Sequence, residues 1–455
     1  MFIGFDYGSA NCAVGVMEGN EVKLLSLEAD SHYMMSTLYA YDRELISEAV
    51  YHELPASQQP EYAKIRSAQL SRARHARHEL DLSPHEQAVF VGQQAYDAYL
   101  EMPEEGFYVR SPKSFLGATG LNSMQIALFE DIVTLMMQAV IKKAQSQVNE
   151  AITHAVIGRP VNFQAIGGED SNRQAEAILT VAANRAGIEH VSFLFEPLAA
   201  GMDYEASLTQ DKTVLVVDVG GGTTDCSVVN MSPSKASLSD RKQDCLGHSG
   251  QRVGGNDLDI ALAMQGFMPE FGLHDTLITG KAVPSQVYWN AVAVNDISAQ
   301  REFATLATQS LLKNLHKDAA QPHKIARLQK VQQQQLSYQI VKTAEQTKIA
   351  LSSAQQHSIG LPFIEPELTV SLSQADFNQA VNAPVAKVEA LMIQAIEAAN
   401  VKPDVIYVTG GTAKSPLIYQ KIQQVYPDCE VIVGDHFGSV TSGLTRWAHR
   451  IYNHS

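Results

Sequence analysis

Phe5-Asp6-Tyr7-Gly8-Ser9-Ala10-Asn11-Cys12-Ala13-Val14 and Val217-Asp218-Val219-Gly220-Gly221-Gly222-Thr223-Thr224-Asp225-Cys226-Ser227-Val228 are two versions of one motif. In each, an apolar strand runs into Asp-x-Gly, crosses a short turn of small and hydroxyl residues, and leaves as another apolar strand. Walker and dinucleotide loops deliver their glycines into a helix whose N-terminus faces the anion. Here Cys12-Ala13-Val14-Gly15-Val16-Met17 and Cys226-Ser227-Val228-Val229 keep strand character, so each motif is a β-hairpin tip. Such a tip can aim successive backbone N–H groups at an anion, and glycine admits a close approach. The carboxylates of Asp6 and Asp218 would repel bare phosphate but suit a hydrated Mg2+, which keeps several waters and needs one or two carboxylates nearby. A single Gly-rich hairpin is an ordinary tight turn. The matched pair predicts a phosphate held between two similar halves.

With 455 residues the chain exceeds what one core usually organises, so two domains or lobes are expected. A net charge of -15 argues against a nucleic-acid partner, whose binding depends on Lys and Arg neutralising phosphates. Four cysteines, Cys12, Cys226, Cys245 and Cys429, lack metal-ligand spacing and fit a reducing compartment, so a cytoplasmic location is expected. The start Met1-Phe2-Ile3-Gly4-Phe5 lacks the basic region of a signal peptide. No stretch reads as the roughly 20 apolar residues of a membrane helix. The best, residues 214 to 219, is interrupted by Asp218, and no membrane partner is expected.

Residues 1 to about 28 read as three antiparallel strands, the third after the Gly19-Asn20 turn. From about 42 to 110 the composition turns polar and helical, and Arg66, Arg72, Arg74, His75, Arg77 and His78 read as a solvated helix face in a surface insertion. An amphipathic helix over 123 to 150 is followed by the strand Ala155-Val156-Ile157-Gly158, the breaker Arg159-Pro160 and a helix over about 171 to 187. The second half repeats this plan: the hairpin at 213 to 229, then Gly254-Gly255-Asn256-Asp257 opening a helix, long helical patterning over about 324 to 352 and the strand Val405-Ile406-Tyr407-Val408. The Gln332 to Gln335 run reads as a helix face, and the turn Thr409-Gly410-Gly411-Thr412 precedes a helix after Pro416.

These motifs in this order, together with Glu196-Pro197-Leu198-Ala199-Ala200-Gly201, Ala350-Leu351-Ser352-Ser353 and Gly410-Gly411-Thr412-Ala413-Lys414-Ser415-Pro416, resemble the actin-like ATPase superfamily. The closest resemblance is to the nucleotide-binding domain of DnaK-type heat-shock protein 70 chaperones. Ser111-Pro112-Lys113-Ser114-Phe115-Leu116-Gly117 is similar to the short bacterial YegD-like branch. The resemblance implies an α/β, ribonuclease H-like duplicated fold with two lobes around a nucleotide cleft. Lobe I would cover 1–205 with a helical insertion at about 40–112, and lobe II 206–436 with a helical insertion at about 255–352. Residues 437–455 would return to the hinge.

The same resemblance implies ATP and Mg2+ as cofactors. Asp6 and Asp218 would organise the hydrated metal, while Gly8, Ser9, Gly220, Gly221 and Gly222 surround the phosphates and Thr223 and Ser9 offer hydroxyls. Lys113 matches the family's catalytic lysine, and Asp225 with Glu196 would position the attacking water, roles that suit a reaction governed by positioning and electrostatics. Glu345 and Lys348 match residues that touch the ribose, Gly410, Gly411 and Thr412 match the adenosine turn, and Gly254, Gly255 and Lys414 are further nucleotide-binding positions that the resemblance implies. Each has a plainer alternative: a surface lysine at Lys113, a helix-start residue at Glu196, a turn cap at Asp225, and packed thiols at Cys12 and Cys226. His248 has no assigned role.

Two departures bear on function. The arginines that stack the adenine in such chaperones are replaced by Ile349 and Lys414, and Ala10 replaces a threonine in the first turn. Only eleven residues follow Leu444, so no peptide-binding β-domain or lid is expected within the chain. The leading expectation is a Mg-dependent ATPase acting through lobe closure on an unknown protein partner or client. The alternatives are a nucleotide-gated binding module with negligible hydrolysis, or a kinase for a small substrate. A filament-forming homologue is disfavoured, since no assembly signal is present.

Overall fold

The computed structural model describes residues 1–29, 31–102, 106–164, 167–235, 238, 241–434 and 438–453, and for 100, 203, 242, 297, 413 and 414 the backbone alone. One sheet plan is used twice. Strand β1 (Phe2–Tyr7) pairs antiparallel with β2 (Asn11–Glu18), β2 with β3 (Glu21–Leu24), and β1 runs parallel to β4 (His154–Arg159), which runs parallel to β5 (His190–Phe195). The order is β3-β2-β1-β4-β5. In the second sheet β6 (Lys212–Val219) pairs antiparallel with β7 (Thr224–Met231) and β7 with β8 (Cys245–Gln251), while β6 runs parallel to β9 (Val405–Thr409) and β9 to β10 (Glu430–Val433). Its order, β8-β7-β6-β9-β10, repeats that path, to which the first sheet adds a sixth strand, Met34–Met35, antiparallel to β2. The protein is therefore α/β, and both Asp-x-Gly turns are tips of the first hairpin of a sheet.

The central strands are apolar because both faces are covered. Ile3, Phe5 and Tyr7 of β1 are fully buried with Ile132, Met136 and Val140 of the helix Ser123–Gln145. On the other side lies the helix Ser439–Tyr452, pressed so close that a Cβ at Gly4 would meet the Thr445 backbone and one at Gly443 the Ala199 carbonyl. Glycine is required at these crossings because backbone takes the place of a side chain.

Internal packing divides the chain into two compact units. The first is Met1–Gln251, Leu391–Gly411 and Pro427–Ser455, and it holds both sheets; the second is Arg252–Ala390 and Thr412–Tyr426. The 205/206 division expected from the duplication falls within the first unit. In the second unit, helices including Gly255–Leu262, Pro322–Gln333 and Ser337–Leu351 accompany a two-stranded hairpin, Gln356–Gly360 with Thr369–Ser373.

Several expectations need correction. The region 42–110 is not wholly helical: Val89–Val91 and Phe107–Arg110 flank Thr37–Ala40 in a three-stranded sheet. Its basic residues are not all solvated. Arg66 is 7% exposed and, with Arg185, grips Asp131, while Arg77 pairs with Glu48 at 2.7 Å. The Gln332 to Gln335 run is not one helix face, since Gln335 takes a φ of 51° between two helices. Composition alone makes the 23-residue helix Ser123–Gln145 long and apolar enough to cross a membrane, contrary to the sequence reading. In the structure more than half of it is buried, and Asp131 at its centre is held by two arginines.

Candidate nucleotide site

The repeated topology carries the carboxylates of each hairpin to its tip. Asp6, one residue from the end of β1, lies opposite Ala13, whereas Asp218 near the end of β6 sits directly opposite Asp225 of β7. Asp218 and Asp225 are thus cross-strand neighbours of like charge, an arrangement that is destabilising without compensation. Glycines make the room. A Cβ at Gly410 (φ 89°) would lie 2.5 Å from Asp218 Oδ1, and one at Gly250 would lie 2.5 Å from Asp225 Oδ1. The Gly220 N–H donates to the Thr223 carbonyl at 2.9 Å, which closes the second turn. In the first turn the Ser36 hydroxyl donates to the Gly8 carbonyl at 2.7 Å.

Lys113 arrives by a strained turn. Ser111, immediately before Pro112, adopts left-handed backbone (φ 55°), an uncommon conformation for a side-chain-bearing residue. Its N–H donates to the Ser36 carbonyl at 2.8 Å. The short helix Pro112–Phe115 then points Lys113 inward, where it is only 4% exposed. The ammonium donates to Glu196 and, at 3.4 Å, to the Gly158 carbonyl at the end of β4. Glu196 is the first residue of the helix Glu196–Ser207. The reading of Lys113 as a surface lysine is therefore wrong, and Glu196 is both a helix start and the partner of that lysine.

Charge is crowded here. Burial pushes Asp6 up to about 7, helped by Glu196 and Asp218 against the pull of Lys113. Asp218 is pushed up to about 7 by burial, then by Asp225 and Glu196. Asp225 rises to about 7 through burial and Glu196. Burial alone would lower Lys113, but Glu196 and Asp6 outweigh it and hold the ammonium above its usual value. Lys113 thus faces four carboxylates, so the cluster has an unmet demand for positive charge.

That demand makes stability depend on pH. A carboxyl whose folded pKa exceeds its unfolded value binds extra protons in the folded state, so its stabilising contribution is lost as pH rises between the two. For Asp6, Asp218 and Asp225 the window runs from about 4 to about 7. His154 and His248, both lowered by burial, oppose this at the acidic end. Asp225→Asn should therefore stabilise the cation-free protein more at pH 7.5 than at pH 5, as read from melting temperatures; an equal effect at both would contradict it.

Of the other expected residues, Ser9, Gly221, Gly222, Gly410 and Gly411 lie in the first unit, and Gly254, Gly255, Glu345, Lys348, Thr412 and Lys414 in the second. Gly254 and Gly255 are buried at the start of Gly255–Leu262, where the Gly254 N–H donates to Asp257 at 2.8 Å. Glu345 is exposed, and Lys348 pairs with Asp259 at 2.7 Å. Ile349 is 61% exposed, and Thr412 is half-buried. The Lys414 side chain and residue 437 lie outside the described parts. Cys12 and Cys226 are fully buried and their thiols are pushed up, Cys12 to about 12, which suits packing rather than reactivity. Gly158 and Gly250 were not singled out from sequence; a glycine ending a strand beside a charged motif is the signal each offered.

The Hsp70 protein family model matches residues 123–277 and 308–430, more than half of the chain. The chain belongs to the Hsp70 family. Among similar proteins is the chaperone protein DnaK of one Thermus thermophilus strain, 25% identical over 311 residues. The DnaK of a second strain of that organism is 24% identical over the same length. Each alignment covers 65% of this chain and 39% of the DnaK length.

Proposed function

We propose that this Hsp70-family chain binds Mg-ATP between two actin-like lobes, 1–205 and 206–436, hydrolyses it, and signals by lobe closure to a protein partner. The carrying observation is that Lys113, from the short helix Pro112–Phe115, and Glu196, at the start of Glu196–Ser207, meet Asp6, Asp218 and Asp225 at the hairpin tips of two sheets that share one strand order. The cluster fits a cation, because its carboxylates exceed its ammonium groups and three of them are held near 7. Among the described residues no group of three or more His, Cys, Asp or Glu could ligate a metal directly. Mg2+ would accordingly be held by Asp6 and Asp218 through its waters. When bound, it would neutralise charge on the β- and γ-phosphate oxygens.

The chain's own residues supply the rest. Gly8, Ser9, Gly221 and Gly222 would present backbone N–H groups to the phosphates, with the Ser9 and Thr223 hydroxyls beside them. Lys113 would stabilise charge on the transferring phosphoryl group, and Asp225 and Glu196 would orient the attacking water. Glu345, Lys348, Gly410, Gly411, Thr412 and Lys414 would hold the adenosine, and Gly254 and Gly255 would also contribute to nucleotide binding. The pattern Ser111-Pro112-Lys113-Ser114-Phe115-Leu116-Gly117 is the ground for placing the chain in the short YegD-like branch.

One observation favours the second reading, a nucleotide-gated module with little turnover. Glu196 already engages Lys113, so neither reaches its role until that pair loosens. Steady-state hydrolysis of Mg-ATP by the purified chain separates the two. The wild type should turn over, and Thr223→Ala should lose at least about tenfold in kcat with affinity nearly unchanged. Binding without turnover in the wild type selects the module, and no purine-nucleotide binding rejects both.

A further inference from the structure

His248, which the proposed site does not use, ends a chain of amide hydrogen bonds within the first unit. It is exposed on the edge strand β8, opposite Ser227 of β7, and the strand is pinned on either side of it. A Cβ at Gly247 would come within 2.4 Å of the Ala399 backbone nitrogen, and the Ser249 hydroxyl donates to the Leu391 carbonyl at 2.6 Å. The other end is the turn after β4, which Arg159 fixes by donating to the Pro160 carbonyl at 3.0 Å and the Val161 carbonyl at 2.8 Å. Asn162 Nδ2 joins the two ends, 2.7 Å from His248 Nε2. Each end carries a different part of the proposed site. Gly158, at the end of β4, offers its carbonyl to Lys113, while Gly250, farther along β8, stands against Asp225.

The direction of each bond follows from the one before it. The Phe163 N–H can only donate, so the atom it meets at 3.0 Å is Asn172 Oδ1, which leaves Asn172 Nδ2 to donate to Asn162 Oδ1 at 3.0 Å. Asn172 is 2% exposed, so water does not compete for these bonds. Asn162 then has only its Nδ2 for His248, and the ring Nε2 must accept, which requires a neutral imidazole with its proton on Nδ1. A proton on Nε2 would set N–H against N–H and open the bond. The titratable groups on the surrounding elements are matched, uncharged or turned to solvent. On the Asn162 side Arg159 pairs with Glu176 and Arg173 with Asp170. On β7 and β8 burial pushes up the Cys226 and Cys245 thiols, and Asp225 rises to about 7. Glu397, on the helix Asn382–Ala399 behind Gly247, is exposed. Burial lowers His248 itself, in the direction that keeps the ring neutral. We infer that Asn162 and His248 are positioning residues for the site proposed above, an assignment that rests on that reading: neutral His248 clasps the strand beside Asp225 to the turn beside Lys113, and protonation of the ring releases the clasp.

Long-range proton–nitrogen NMR of the intact chain, labelled at histidine, reads the ring directly. The expected signature is the Nδ1–H tautomer of neutral His248, lost in Asn162→Ala; the Nε2–H tautomer in the wild type overturns the clasp. The same titration supplies the midpoint of His248. Well above it, Asn162→Ala and His248→Ala should each lower kcat for Mg-ATP about fivefold with KM nearly unchanged, and the double variant should be no worse than either single one. Well below it, where the wild-type clasp is already open, the loss should shrink to less than about twofold. Asn162→Asp keeps the acceptor for Asn172 and pairs with the charged ring, so it should raise the midpoint and exceed the wild-type kcat about threefold at the lower pH. Additive single losses, or equal losses at both pH values, overturn the positioning role. Melting temperatures show whether each variant folds, and the wild-type tautomer decides where none does. The Nδ1–H tautomer in a wild type that binds Mg-ATP without turnover supports the clasp and rejects hydrolysis, so the two failures are told apart.

Discussion

Lys113→Ala should lower ATP turnover by about 10²- to 10³-fold, the usual cost of removing one preorganised charge from a phosphoryl- or acyl-transfer site. The physical ground is the burial of this ammonium among Asp6, Glu196 and Asp225, where it lowers the pKa of Asp6, Asp218 and Asp225. Without it those carboxyls are driven further up and Glu196 loses its direct partner. Affinity for Mg-ATP should change much less than kcat, because the metal and the backbone N–H groups of both turns remain. Lys113→Arg should not rescue, since a planar guanidinium does not fit a pocket shaped for one point charge between Glu196 and the Gly158 carbonyl. Single-turnover measurement at saturating Mg-ATP is the check. Retention of half the wild-type rate by Lys113→Ala would remove the lysine from the chemistry and, with it, the main catalytic element proposed.

The opening pair of hairpins made much of this legible. An apolar strand entering Asp-x-Gly and leaving as a strand fixes a local geometry that depends only on nearby residues, and both hairpins occur with Asp6 and Asp218 at their tips. The parallel strands β4 and β9 were legible for the same reason, as short apolar runs bounded by breakers. What sequence could not supply was long-range. The family resemblance singled out Lys113, but its local context is that of an ordinary lysine until Ser111 is seen to turn the chain inward and Glu196, 83 positions later, is found opposite it. Gly250 and Gly158 matter because of what approaches them, not because of their neighbours in the chain. Arg66 misled for a related reason: on its own helix it belongs to a polar run, and only the partners on Ser123–Gln145 draw it inside.

That buried network leads to the largest expected effect on stability. Asp131 is 1% exposed, accepts from Arg66 Nε at 3.2 Å, Arg185 Nη1 at 3.1 Å and the Ser47 hydroxyl at 2.8 Å, and lies where Glu130 completes the charge balance. The Tyr62 ring stands 5.9 Å from the Arg66 guanidinium and 5.1 Å from that of Arg185. Asp131→Ala would leave two guanidinium groups and one hydroxyl short of their acceptor in a dry interior, and should cost the first unit about 3–5 kcal/mol. The network as a whole contributes far less, because its Coulomb gain is set against the desolvation of four charges. Replacing Arg66, Glu130, Asp131 and Arg185 together by apolar residues of similar volume should therefore be much milder than Asp131→Ala alone. Urea unfolding followed by hydrogen exchange of the Ser123–Gln145 helix measures both, since exchange reports that helix separately from the second unit. If Asp131→Ala costs less than about 1 kcal/mol, the arginines must find water, and the insertion over 59–79 is not anchored to the core through them.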